Sequence, residues 1–484
     1  MRLPSRLLIF ALAGSAIAAA AVLSVGMASG GSRSGSQQPR RLLIGFQDDP
    51  ALRWEADRSA MLDRASAANA RIVRTIVDWS RTAPTRPMHG ADPFDPAYRL
   101  DDVDELVRGA QLRGISILIT IWGTPGWANG NAGPNRLPSR LTDLQQFAGA
   151  LAARYSGRYA GYPLVRHWSV WNEPNLQQFL APQFDARGAI VSPALYAKLY
   201  RAAFAGIKAS NPSALVAIGE TSPLGRDHAY LGPSQQTTSP GTFARLLSLQ
   251  RPRLSFDAWA HHPYPTSLGL PPTQRVRWPN VALAALPRFQ AALDTWFGRR
   301  DTAIWITEYG YQTRRPQALG VTAAQQAAYS VQALQLAAAD PHVQMFVWFV
   351  LRDSVQTPWR SGLFDLTGKA KPALARFATA AAALDASNAV LKAAPGTRAI
   401  KLPVDVLRLL GRNGAGATVG ITWRAYLGSR LVAVDQTRLA LPLSGRLLLP
   451  VAFKRAQGAT YRVDVNVNDI NGQTVDRTLQ VVTG

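Results

Sequence analysis

Two glutamates stand at the ends of apolar runs, and in both places the neighbouring residue types suit acid–base chemistry. Glu173 follows His167-Trp168-Ser169-Val170-Trp171-Asn172 and precedes Pro174-Asn175. Glu308 follows Thr302-Ala303-Ile304-Trp305-Ile306-Thr307 and precedes Tyr309-Gly310-Tyr311. Proline has no backbone donor, so the first run ends as a strand where the polar pair begins. A single strand-end glutamate is more often a salt bridge or a solvated rim residue. Two in matching contexts can face each other across one mouth, one holding its proton and the other ionised. Such a pair can protonate a departing acetal oxygen and attack the carbon it leaves.

Trp171-Asn172-Glu173-Pro174-Asn175, followed by Trp305-Ile306-Thr307-Glu308-Tyr309-Gly310, resembles clan A of the retaining glycoside hydrolases, closest to the family 39 and family 5 type. The resemblance covers roughly Arg41 to Ala380 and implies a (β/α)8 barrel with chemistry at the C-terminal ends of its strands. It implies that Glu173, on strand 4, is the acid/base and that Glu308, on strand 7, is the nucleophile. By the same resemblance Asn172 binds a sugar 2-hydroxyl, and Tyr264 of His262-Pro263-Tyr264 touches the nucleophile. The doubled histidine leaves open whether His261 or His262 lines the site. Arg74 matches the clan's arginine beneath the nucleophile, and Trp348 its aromatic floor under the scissile sugar. Trp122 could extend that platform, as could Trp127, Trp79 and Tyr311, although buried tryptophan is often plain core. Glu220, Asp48 and Asp78 are further strand-end acids, read as substrate contacts or loop ties, with Glu220 the spare nucleophile. A His-His metal site lacks a third ligand at suitable spacing, so neither metal nor organic cofactor is expected.

The elements that must position these residues follow the alternation of a βα architecture. Strand candidates are Leu42–Phe46, Ile72–Val77, Ile115–Ile121, the run into Glu173, Leu215–Gly219, Phe256–His261, the run into Glu308, and Gln344–Val350. Helical spacing occupies about Leu100–Arg113, Leu144–Tyr155, Ala194–Ala209 and Lys371–Leu384. The stretch from Glu220 to Thr242, rich in Gly, Ser, Pro and Thr, reads as a long and functional loop.

From about Pro395 the period changes. Tyr461, Val463, Val465 and Val467 alternate with polar residues, Asn471-Gly472 supplies a tight turn, and Val475–Val482 reads as the return strand. The fold class is therefore α/β: a TIM barrel over 41–390, then a small β-sandwich over 396–484, with an immunoglobulin-like arrangement as the candidate topology. Residues 1–40 are not part of the fold. Arg2 and Arg6 precede an apolar run from Leu7 to about Met27 and a Ser/Gly-rich linker, which describes an export signal. An uncleaved signal anchor is the rival, since the run approaches the length of a membrane span. Either one puts the rest of the chain outside the cytoplasmic membrane, with membrane contact only if the segment stays uncleaved.

With 47% hydrophobic and 17% charged residues the chain is globular. It has no cysteine, which removes disulfides, thiolate metal sites and thiol nucleophiles. The net charge of +23 fits either a polyanionic partner or arginine-rich surface helices. The arginines are dispersed, with only short pairs such as Arg299-Arg300 and Arg314-Arg315, so a nucleic-acid partner is not expected. The expected partner is a β-linked poly- or oligosaccharide. Two other readings are a barrel that binds carbohydrate without cleaving it and a wall-associated surface protein. Oligomeric state is open.

Overall fold

The computed structural model describes residues 42–229, 236–267, 269–313, 320–357, 359–387 and 389–484. The expected N-terminal export signal and the Arg314-Arg315 pair lie outside these residues. Eight parallel strands close into one barrel in chain order. They are β1 Leu43–Gln47, β2 Ile72–Asp78, β3 Ser116–Trp122, β4 His167–Val170, β5 Leu215–Thr221, β6 Ala258–His261, β7 Ala303–Tyr309 and β8 Val343–Phe349. Each expected strand is present, displaced by no more than a few residues at its ends.

The helices around the barrel are α1 Arg58–Ala67, α2 Trp79–Thr82, α3 Asp101–Gln111, α4 Gly126–Asn129, α5 Leu141–Arg154, α6 Ser192–Ser210, α7 Pro240–Ser248, α8 Leu286–Phe297, α9 Ala323–Ala339 and α10 Pro372–Ser387. Local chemistry marks several ends. Asp101, Asp102 and Asp104 sit in the first turn of α3, against the positive end of its dipole. Thr322 and Gln325 form a reciprocal capping box at the start of α9. The long loop expected after strand 5 is partly helix, because α7 begins inside it at Pro240.

Strand alternation divides the core in two. Ile72, Leu118, Ala217, Ala258, Ala260, Ala303, Trp305, Met345 and Val347 fill the barrel interior. Their neighbours in sequence, such as Val73, Ile119, Ile218, Trp259, Ile304, Phe346 and Trp348, pack outward against the helices. Four of these residues are alanines, and beyond them the next inward positions on several strands are polar, among them Arg74, Thr120 and His262.

The second unit contains β9 Val390–Ala393, β10 Ile400–Asp405, α11 Leu407–Asn413, β11 Thr418–Leu427, β12 Arg430–Ala440, β13 Arg446–Val451, β14 Thr460–Asn468 and β15 Thr474–Thr483. One sheet runs β12-β11-β14-β15-β9 and the other pairs β10 with β13. Leu402, Val404, Ile421, Trp423, Leu449, Val463 and Val465 form the core of this unit. The sandwich is therefore real but differs from the all-antiparallel, more evenly divided sheets of an immunoglobulin domain. Its edge strand β9 joins β15 in parallel, so the second unit begins at Val390, at the end of the range expected for the barrel. Gly411 of α11 lies against Gln111 of α3, and Arg477 reaches Asp385 of α10 at 3.7 Å.

Candidate active site

Simple alternation aims some polar residues at the mouth. Ala258 and Ala260 face inward on β6, so His262 faces inward and His261 outward. Thr120 and Trp122 continue the inward face of β3, and Gln47 that of β1. Alternation alone would turn Glu308 and Glu220 out of the barrel, and in both places the strand breaks its register. The β7–β8 pairing shifts between Ile306 and Tyr309, and the β5–β6 pairing between Gly219 and Thr221. Such bulges re-aim a side chain, and here they let Thr307 and Glu308 both reach the interior. At β5 the bulge also needs left-handed backbone, with φ of 105° at Gly219 and 48° at Glu220. A Cβ at Gly219 would stand 2.6 Å from the Trp259 ring, so only glycine fits there.

Beyond β4 the chain is also left-handed, with φ of 71° at Trp171 and 37° at Glu173. Non-glycine residues in this region cost about 1–3 kcal/mol each and persist where surrounding contacts hold them. Here Trp171 donates from its backbone to Ile121 O at 2.7 Å and from its indole to Phe179 O at 2.6 Å. The strained turn presents Asn172 and Glu173 to the mouth together.

Arg74 occupies the centre and is fully buried. Its Nη1 donates to Glu308 Oε1 at 2.5 Å, and its Nη2 to Asn172 Oδ1 at 2.9 Å and Glu220 Oε2 at 3.2 Å. Its Nε donates to Thr120 Oγ1 at 2.9 Å, and Gln47 accepts from Nη1 as well. The Tyr264 hydroxyl donates to the second Glu308 oxygen at 3.1 Å. His262 bridges the remaining acids, with Nδ1 3.0 Å from Glu173 Oε1 and Nε2 2.8 Å from Glu220 Oε2. Thr307 Oγ1 donates to that same Glu220 oxygen at 2.7 Å. One oxygen each of Glu173 and Glu308 and a ring nitrogen of His262 all lie within 4.8 Å of one another.

The electrostatics follow from this packing. For Glu220, burial opposes ionisation, but the Arg74 charge and His262 outweigh it and hold the carboxyl at about 2. For His262, burial likewise opposes the charged form, yet the Glu308, Glu173 and Glu220 carboxylates raise the imidazole to about 9. Burial raises the Glu173 carboxyl and the Glu308 charge adds to it, against the pull of His262. Two cations, Arg74 and His262, thus face two anions, Glu220 and Glu308. Ionising Glu173 would add a third anion to a buried cluster that is already balanced.

Six of the eight expected site residues gather here: Glu173, Glu308, Asn172, His262, Tyr264 and Arg74. Trp122 is half-buried at the end of β3, its ring 6.4 Å from that of Trp171. Trp348 is a correction. It is fully buried between barrel and helices, its ring 5.8 Å from Phe377 of α10 and its indole donating to Ser361 O at 2.9 Å. Met345 and Val347 face inward on β8, which forces Trp348 outward. Half-buried aromatics toward the mouth after Trp348 are Phe349, next along the strand, and Trp359, whose ring lies 5.5 Å from that of Tyr264. Sequence reasoning missed both, although alternation on β8 could have found Phe349.

His261 is structural, held by Thr221 Oγ1 at 2.8 Å and Val281 O at 2.9 Å behind the sheet. Asp48 and Asp78 are loop ties. Asp48 accepts from the backbones of Ala51 and Arg352, and Asp78 caps Ser80. Trp79 is core, while Trp127 and Tyr311 are tied to Ala83 O and Leu270 O.

A family model for cellulase, glycosyl hydrolase family 5, matches residues 42–352. No curated protein matches the chain. In fold the chain is similar to a family 39 glycoside hydrolase from the gut symbiont Bacteroides cellulosilyticus WH2, with TM-score 0.51 and 17% identity over 87% of this chain and 82% of the other. It is also similar to a monomeric beta-xylosidase from Caulobacter crescentus CB15, with TM-score 0.51 and 14% identity over 90% of this chain and 98% of the other.

Proposed function

The chain belongs to the cellulase family, glycosyl hydrolase family 5, and is a glycoside hydrolase; from that premise we propose that it is a retaining enzyme acting outside the cytoplasmic membrane on a β-linked poly- or oligosaccharide. The first step breaks the bond between the anomeric carbon and the glycosidic oxygen. Glu173 gives its proton to that oxygen while Glu308 attacks the carbon, forming a glycosyl ester. In the second step water attacks the same carbon, passes a proton to the Glu173 carboxylate and releases Glu308.

The observation that carries this reading is the separation of the two acids. Their facing oxygens lie within 4.8 Å, against ~5 Å for retaining pairs and ~6.5–9.5 Å for inverting ones. The electrostatics fit the roles. Arg74 and Tyr264 donate one hydrogen bond to each Glu308 oxygen, which fixes the carboxylate toward the mouth. Burial and the Glu308 charge favour a protonated Glu173. Asn172 accepts from Arg74 through Oδ1, which leaves its amide as the donor for a sugar 2-hydroxyl.

Export rests on Arg2, Arg6 and the apolar run that follows; N-terminal sequencing of the exported protein separates a cleaved signal from an anchor. Among the described residues no helix is long and apolar enough to cross a membrane.

The test is product release from β-linked polysaccharides and oligosaccharides, neutral and anionic and including β-1,4-glucans, by wild type and Glu308→Gln. The expected result is release by wild type and loss of more than ~10³-fold in the variant. Undiminished activity in the variant would remove Glu308 from its role.

A further inference from the structure

Glu220 is buried, ionised and out of reach of the mouth, and the two steps above do not use it. It is nonetheless costly to place. It needs a β-bulge, a left-handed backbone at φ 48° and a glycine beside it. Its Oε2 collects three donors, from Arg74, Thr307 and His262. The last contact is the informative one, because an imidazole has only two nitrogens. With Nε2 directed at a carboxylate at 2.8 Å, Nδ1 is left to face Glu173 at 3.0 Å.

We propose that Glu220 is a positioning residue for the acid: it pins the Nε2–H of His262, so that Nδ1–H of the imidazolium is held on the Glu173 carboxyl as that carboxyl gives its proton to the leaving oxygen. This rests on the roles given to Glu173 and Glu308 above. As the glycosidic bond breaks, the proton leaves a Glu173 oxygen for the departing oxygen, and Nδ1–H of His262 donates to the carboxylate that remains. When water attacks the glycosyl ester, its proton returns to the Glu173–His262 pair and the electrons of the broken ester bond go to Glu308.

The groups facing His262 are Glu173 beyond β4, Glu220 on β5, Glu308 on β7 and Tyr264 and His261 on its own segment, with Arg74 of β2 behind both Glu220 and Glu308. Coupled groups lose protons as a pair. The alkaline limb of activity therefore belongs to Glu173 and His262 together and depends on the charge of Glu220.

The test compares the pH profiles of wild type and Glu220→Gln on the substrate cleaved by wild type. The amide oxygen can still accept from Nε2–H, so the variant removes charge while keeping the contact. The alkaline limb should move down by about one pH unit or more, with KM within about twofold because Glu220 is fully buried. Glu220→Asp, which restores the charge, should recover part of the shift. A limb that stays in place or moves up overturns the proposal, since loss of a cationic His262 would raise an acid titrating alone.

An arm independent of turnover is ¹⁵N NMR of the histidines, with His262 assigned by its absence in His262→Gln. Wild-type His262 should be an imidazolium at pH 8 and Glu220→Gln should neutralise it. A neutral ring in the wild type at that pH overturns the proposal. Wild-type inactivity on every substrate would count against the glycosidase reading, while the NMR arm would still decide the proton network.

Discussion

Replacing Arg74 with methionine tests the buried charge network. The guanidinium donates to Glu308 at 2.5 Å and Glu220 at 3.2 Å, and all three groups are buried. Removing one member of a buried, hydrogen-bonded ion pair costs about 3–5 kcal/mol, because the remaining charge is left without compensation. Unfolding entropy is about 2.1 cal/mol/K per residue, or about 0.7 kcal/mol/K for a barrel over 42–387, so Tm should fall by about 4–7 °C. The pH dependence has a definite sign. Glu220 has its carboxyl lowered from 4.5 to about 2, through Arg74 and His262 working against burial. Its stabilisation is therefore fully present above about 4.5 and is lost as pH falls towards 2. The gap between wild type and Arg74→Met should be widest at neutral pH and narrow below pH 4.5, where the orphaned Glu220 carboxylate takes up a proton. Urea unfolding followed by circular dichroism at pH 7 and pH 4 measures it. Adding Glu220→Gln to Arg74→Met should restore part of the lost stability, because the two charges leave together. A pH-independent gap, or a double variant as unstable as the sum of the singles, would refute the reasoning.

Tyr264→Phe removes one donor from the Glu308 carboxylate; a hydrogen bond to a charged group contributes about 1.5–3 kcal/mol, so kcat should fall about ten- to a hundredfold with little change in Tm. His261→Phe should do the reverse, costing about 1–3 kcal/mol of stability through the unpaired Thr221 and Val281 groups while leaving steady-state rates within a few fold. Trp348→Ala should cost about 3–5 kcal/mol as a core cavity without raising KM, whereas Trp359→Ala should raise KM without that loss of stability. Denaturant titrations beside steady-state kinetics separate these cases.

The barrel was legible because its signal is repeated. Each strand is an apolar run ending in polar residues, and eight such runs in order leave few alternatives. The small sandwich was legible where a clean two-residue period met Asn471-Gly472. Its first strand, Val390–Ala393, was not, since a four-residue edge strand pairing with Gln480–Thr483 from the far end of the chain has no local signature. In the site, what could be read followed alternation or motif, and what could not followed broken register. Two inward alanines on β6 assign His262 to the mouth, and two inward residues on β8 remove Trp348 from it. Glu220 could not be aimed by inspection, because a bulge reverses the direction its position implies. Without that direction its three contacts, and hence its place behind His262, were invisible.

The central claim is that Glu308 forms a covalent bond to the sugar while Glu173 handles the proton. An activated 2-deoxy-2-fluoro β-glycoside matching the released product slows the second step more than the first, so the ester should accumulate. Peptide mass mapping of the trapped protein should then find one sugar increment, on the Glu308 side chain, together with loss of activity. An increment on Glu220, or a product whose first-formed anomer is inverted, would contradict the account.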